Sequence, residues 1–229
     1  MNTELARFNM IEQQIRPWEV LDQNVLTLLA TLRREDFVPP ALRALAFVDT
    51  QVPLLKDVKG AVATPGTCML EPKVEARLLQ ELQVQRHQRV LEIGTGSGFM
   101  AALMAHRAMQ VISLECRPAL SRMARESLAR NGIVNVRVVD VLAAEGARGL
   151  PAEAPFDAIL LSGSVAEVPR ALLEQLKVGG RLAAIVGDEP VMRARLFTRV
   201  SDGAFAERDL FDTVAPRLEG FAEHPRFAF

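Results

Sequence analysis

A Rossmann-like α/β fold, with a doubly wound and mostly parallel sheet, is predicted by three features of the chain. Short apolar runs alternate with amphipathic segments from Arg89 onward. The first run leads directly into a glycine-rich turn, Gly94-Thr95-Gly96-Ser97-Gly98. The runs are continuous in apolar residues, as strands are when helices cover both faces of their sheet. Antiparallel strands are expected at the C-terminal edge and a helical arm at the N-terminus.

The elements follow in chain order. Thr3 is suited to cap a helix reaching about Arg16, where Pro17 stops it, with Leu5, Phe8, Ile11 and Ile15 on one apolar stripe. Asp22 can cap a second helix carrying Val25, Leu28, Leu29 and Leu32. Trp18, between the two, is expected to pack them together. Pro39-Pro40 breaks the chain, and a short helix is expected over Leu42 to Ala46. From Asp49 to Pro72 the pattern is irregular, and a loop of that length inside a compact domain is often functional. Pro72 opens a helix through Leu82, since proline is tolerated in the first turn.

Strands are then predicted at Val90–Ile93, Val111–Leu114, Val136–Val139, Ala158–Leu161 and Leu182–Val186. Helices are predicted between them at Phe99–His106, Ala119–Asn131 and Arg170–Leu176. Such alternation gives right-handed crossovers and a parallel sheet. Met192 to Phe211 reads as two further strands joined at Asp202-Gly203, and the apolar tail beyond is expected to pack down. The chain thus divides near residue 85. Residues 1–85 are read as a helical arm with a substrate-side loop, and 86–229 as the cofactor-binding core, together one compact unit.

Composition excludes several classes. The chain has 229 residues, 49% hydrophobic and 24% charged, enough for a sizeable core. Its 27 basic and 28 acidic residues give a net charge of -1, against a dedicated nucleic-acid binder or a partner of anionic membranes. No apolar run approaches the roughly 18 residues of a membrane span, and the N-terminus is too polar for a secretory signal. Cys68 and Cys116 lack zinc-ligand spacing and read as small, partly buried hydrophobes of a reduced, cytoplasmic protein. His87, His106 and His224 have no triad partners and read as surface or packing residues, and Asp157 reads as structural.

The glycine turn carries the chemistry. A parallel sheet binds ligands at the C-terminal ends of its strands, so a cofactor is expected over Gly94, Thr95, Gly96, Ser97 and Gly98. The spacing is GxGxG, not the GxGxxG of dinucleotide sites, and a Walker ending is absent. Glu92, two positions before the first glycine, disfavours a pyrophosphate and suits a cationic ligand such as S-adenosyl-L-methionine. Glu115, ending the second strand, can accept from both ribose hydroxyls. Asp140, ending the third, can accept from an adenine amino group, with Val141 beside it and Ser162 at the end of the fourth. A lone glycine turn is weak evidence and a lone strand-end acid is often a helix cap. Their conjunction in order points to a nucleoside-type cofactor and disfavours a nicotinamide oxidoreductase.

These residues resemble the class I S-adenosylmethionine-dependent methyltransferases and, more narrowly, the protein-L-isoaspartate O-methyltransferase family. The resemblance runs over nearly the whole chain. It rests on Met10 to Arg16, Arg34-Glu35-Asp36-Phe37-Val38-Pro39, Val90 to Phe99, Ala154 to Ile159, and Leu172 to Leu182 with Gly179-Gly180. It implies methyl transfer to the carboxylate of an isoaspartyl residue in a protein or peptide, or to a related small carboxylate, as the first step of protein repair. One segment departs. Where the family carries Thr-Ile-Ser-Gln-Pro on the substrate side, this chain has Cys68-Met69-Leu70-Glu71-Pro72, preceded by Thr67. The family's serine position is Leu70, and Glu71 adds a like charge for a carboxylate acceptor. A catalytically silent, cofactor-binding relative is therefore the competing reading. No catalytic residue, acceptor or oligomeric state follows from these residues.

Overall fold

The computed structural model describes residues 2–55 and 67–224. The arm begins with α1 (Thr3–Met10), a π turn over Ile11–Ile15 and a 3-10 turn over Arg16–Trp18. It continues with α2 (Gln23–Thr31) and 3-10 turns at Arg34–Asp36 and Pro40–Phe47. β1 (Val52–Pro53) pairs antiparallel with β2 (Cys68–Met69), and α3 spans Pro72–Leu82. The core then runs β3 (Arg89–Ile93), α4 (Phe99–Ala105), β4 (Gln110–Glu115), α5 (Pro118–Arg130), β5 (Val136–Asp140) and α6 (Ala143–Gly146). It ends with β6 (Phe156–Val165), α7 (Arg170–Leu173), β7 (Leu176–Asp188), β8 (Val191–Ser201) and β9 (Ala204–Thr213).

The seven-stranded sheet has the order β5-β4-β3-β6-β7-β8-β9. β3 to β7 are mutually parallel, and β8 and β9 close the edge antiparallel. Successive residues of each central strand enter opposite cores. Val90, Val111, Leu160 and Ile185 join the core that also holds Leu78, Leu103 and Leu128 of α3, α4 and α5. Leu91, Ile112, Ile159 and Leu182 join the other, which α7 covers with Leu172 and Leu173. That alternation, with both faces buried, is why the strands read as continuous apolar runs. The arm is not an appendage. Ile15, Val25, Leu29 and Phe37 lie in the same core as Val90 and Leu103.

Several local expectations are corrected. Asn2, not Thr3, caps α1 by accepting from Leu5 N at 3.1 Å. The first helix does not run evenly to Arg16. It widens into a π turn that buries both Ile11 and Ile15, and Pro17 lies inside the closing 3-10 turn. Trp18 packs edge-on against Phe211 of β9, 5.2 Å between centroids, with Lys73 Nζ 4.2 Å above its ring, so it does not serve chiefly to join α1 and α2. The segment around Leu42 to Ala46 is 3-10 in geometry, following Pro39-Pro40. The irregular stretch after Asp49 contains the β1–β2 pair, and its residues 56–66 lie outside the described residues. The helix from Arg170 stops at Leu173, and the next strand starts at Leu176. α6 is the helix that sequence patterning missed, being only four residues long.

Candidate functional site

β3 is the switch point of the sheet, because the chain continues to β4 on one side of it and β6 lies on the other. A crevice opens at the C-terminal ends of strands on either side of such a point. The glycine turn lies there. Gly94, Gly96 and Gly98 have φ of +92°, +56° and +86°, in the left-handed region open to glycine. Gly98 also lets α4 approach α5 closely, since a Cβ on it would lie 3.2 Å from the Cβ of Ala124.

Two acids anchor the turn. Glu115, 5% exposed at the end of β4, accepts from Gly96 N at 2.9 Å and Arg117 N at 3.0 Å. Burial raises its carboxyl and these backbone donors partly offset that. The residue lines the main cavity of the crevice. Glu92 is fully buried and accepts from Ser113 Oγ at 2.5 Å and Ser162 Oγ at 2.6 Å. Thr95 Oγ1 joins Ser113 Oγ at 2.6 Å, which makes a connected polar layer beneath the turn. Burial pushes the Glu92 carboxyl up to about 7, and the nearby Glu115 adds to the rise while the serine hydroxyls oppose it.

The main cavity brings Gly94, Gly96, Glu115, Val141 and Ser162 together with Thr67 and Cys68 of the acceptor-side loop. A smaller cavity behind the turn joins Glu92, Thr95 and Ser97 to Met69 and Leu70. Asp140 stands apart. Its carboxylate accepts from Arg125 at 2.7 Å, its side chain is 56% exposed, and it does not line the cavity, whereas its neighbour Val141 does. The reason is strand alternation, which sends adjacent side chains to opposite faces. Glu71, the other loop residue, lines neither of these two cavities.

The tail supplies a wall that the motifs did not identify. Leu218 packs so closely that a Cβ on Gly94 would come 2.6 Å from its Cδ2. Ser164 N donates to Pro216 O at 2.8 Å and Leu218 N to Ser164 O at 2.9 Å. Arg117 Nε donates to Glu219 at 2.7 Å, which ties the tail to the start of α5. Only the apolar composition of the tail signalled this. Asp157 is structural, as expected, accepting from Arg89 N and Lys177 Nζ, both at 2.8 Å. Cys68 and Cys116 are free thiols.

The family model described as protein-L-isoaspartate(D-aspartate) O-methyltransferase matches residues 6–214. The chain belongs to the protein-L-isoaspartate O-methyltransferase family. The enzyme of that name from Methanoculleus marisnigri is 39% identical over 79% of this chain and 77% of its own length. A second, from Marinobacter nauticus, is 37% identical over 89% and 88%. A beta-aspartate methyltransferase from Plasmodium falciparum, in complex with S-adenosyl-L-homocysteine, shares the fold with a TM-score of 0.75 at 19% identity. That alignment covers 96% of this chain and 99% of the other. The chain is thus an S-adenosylmethionine-dependent methyltransferase by family, and its glycine cradle and paired acids fit that cofactor. No helix among the described residues is long and apolar enough to cross a membrane.

Proposed function

We propose that this chain transfers a methyl group from S-adenosylmethionine to the free carboxylate of an isoaspartyl residue in a protein or peptide. The observation that carries the reading is the position of Cys68, which lines both the main cavity and the smaller one behind the glycine turn. The departing loop therefore lies beside the cofactor cradle, where an acceptor would enter. The cofactor supplies an electrophilic methyl group. Glu115 is suited to the ribose hydroxyls and Glu92, through its serine-bound carboxylate, to the ammonium group. The backbone of Gly94, Thr95, Gly96, Ser97 and Gly98 allows close approach, and Val141 and Ser162 complete the wall. Residues 1–85 supply the acceptor side and 86–229 the cofactor side. The free thiols support a cytoplasmic setting.

The chemistry asks little of the acceptor side. A carboxylate is ionised at neutral pH, so one oxygen can attack the methyl carbon as the carbon–sulfur bond breaks, with no proton to remove. Positioning alone can lower such a barrier by about 7–11 kcal/mol. Cys68 does not act as a base, because burial and the Glu71 charge push its thiol up to about 12. The cost of the departure is binding. Leu70 is 4% exposed and offers no side-chain hydrogen bond.

Transfer of labelled methyl to an isoaspartyl peptide, with the aspartyl peptide as control, tests the reading. Leu70→Ser is expected to raise kcat/KM about tenfold, the worth of one hydrogen bond of ~1.4 kcal/mol, and to leave cofactor affinity unchanged. No transfer by either protein, with cofactor still bound, would leave the silent relative as the correct reading.

A further inference from the structure

Arg34 is the largest fully buried side chain among the described residues, 1% exposed. No step of methyl transfer uses it, and a buried guanidinium is costly unless its partners are well placed. Three elements meet on it. One terminal nitrogen, Nη1, is paired with Glu75 of α3. The other donates to the main-chain oxygen of Leu70 at 2.7 Å. Its plane lies over the ring of Phe99, the first residue of α4 after the glycine turn, 4.8 Å from the centroid. Phe37, three residues on from Arg34, packs edge-on against the same ring at 5.3 Å.

We infer that Arg34 is a positioning residue, which sets the acceptor loop Cys68–Leu70 at its working distance from the glycine turn by holding the Leu70 carbonyl while resting on Phe99. This deepens the functional reading above and rests on it for the meaning of "working distance". Met69 and Leu70, each 4% exposed, pack into the core that holds Phe99, while the strand pairing of the loop is slight. Among the described residues, β2 is two residues long and pairs with the two residues of β1. The smaller cavity, bounded by Met69, Leu70, Glu75, Thr95, Ser97 and Phe99, lies between the elements that Arg34 joins. A lysine there would keep the charge opposite Glu75. It would lose the planar fork that serves two acceptors at once, and the flat face over Phe99. The consequence is a loop that detaches while the glycine turn, held by Glu115 and Glu92, stays formed.

Cys68 reports on this without any acceptor. In a Cys116→Ser background, alkylation of Cys68 by iodoacetamide is expected to be at least about tenfold faster in Arg34→Lys, with cofactor affinity within about twofold. Glu75→Gln keeps an acceptor for Arg34 and the bond to Leu70, so its Cys68 should react at nearly the parental rate. If Arg34→Lys fails to fold, Arg34→Gln with Glu75→Gln removes both charges together, and the same acceleration is expected there. Leu172→Ala, a truncation in the opposite core, controls for stability. Unchanged Cys68 reactivity in the Arg34 variants would overturn the inference. So would equal acceleration in Leu172→Ala at matched loss of Tm, since that would make the role merely structural. Methyl transfer to the isoaspartyl peptide is read in parallel. If the parent shows none, the acceptor reading fails and the thiol rates still decide the role of Arg34. If it does, kcat/KM for peptide should fall about tenfold or more in Arg34→Lys, with KM for cofactor unmoved.

Discussion

Glu92 has a buried carboxyl that burial holds near 7, against an ordinary 4.5. A carboxyl raised in the folded state stabilises the protein fully below its ordinary value, and that contribution is lost as pH rises through the folded value. The free protein should therefore lose stability between about pH 5 and pH 8, by about 3 kcal/mol in all if Glu92 acted alone. Glu92→Gln should flatten that part of the Tm profile, since it has no charge to bury. The same variant should bind cofactor about tenfold or more weakly, as expected when a charge-assisted hydrogen bond worth ~1.5–3 kcal/mol is lost. Calorimetry in two buffers of different ionisation enthalpy would add a second check. Cofactor binding near neutral pH should release protons, because a cationic ligand draws Glu92 to its ionised form. A Tm profile in the variant that fell as steeply as in the parent would assign the pH dependence to other groups.

At the scale of elements, termini are held by side chains that patterning reads well and lengths that it reads poorly. Asp22 caps α2 by accepting from Asn24 N at 2.8 Å, as its place before an apolar run suggested. Asp22→Ala should cost about 1 kcal/mol in urea unfolding, with the m-value unchanged. The long 3.8 Å approach of Arg107 to Asp22 adds little to that, as partly exposed pairs do. α1 is the contrary case. Its apolar residues suggested one stripe on one regular helix, yet Leu5 and Phe8 stay exposed while Met10, Ile11 and Ile15 are buried. The π turn begins at Ile11, and within it Gln14 Nε2 reaches the Phe47 carbonyl at 3.1 Å.

Across the whole molecule, the tail walls the crevice at the glycine turn by crossing from the end of β7 to the start of α5. Arg217 pairs with Asp188, and Arg117 with Glu219. His224 lies between Asp188 at 2.6 Å and Glu167 at 3.2 Å, and these carboxylates raise its pKa. Arg217 shares Asp188 with it, and Glu223 lies 3.8 Å from Arg217, so the cluster holds both signs of charge. A raised histidine contributes below its ordinary value, and its contribution is lost as pH rises through the folded one. Amide exchange at Leu218, corrected for the intrinsic rate, should thus quicken above that point in the parent. In His224→Gln the step should be absent, and its persistence would place the pH dependence elsewhere.

The residues themselves determined the class of fold, the order of its strands and helices along the chain, and the glycine turn. These are local matters. Apolar runs, caps such as Asp22 and the spacing Gly94-Thr95-Gly96-Ser97-Gly98 act over a few residues, and the strand-end acid Glu115 follows from them. What lies between distant segments was decided only in three dimensions. Arg34 reads as one arginine among many until α3, the loop at Leu70 and Phe99 converge on it. Leu218 reads as tail until Gly94 and Gly163 leave room for it. Asp140 and Val141 are indistinguishable as strand-end neighbours until the pleat turns one to Arg125 and the other to the cavity. Packing over long separations is the physical reason, since side-chain direction depends on which neighbour fills the other side.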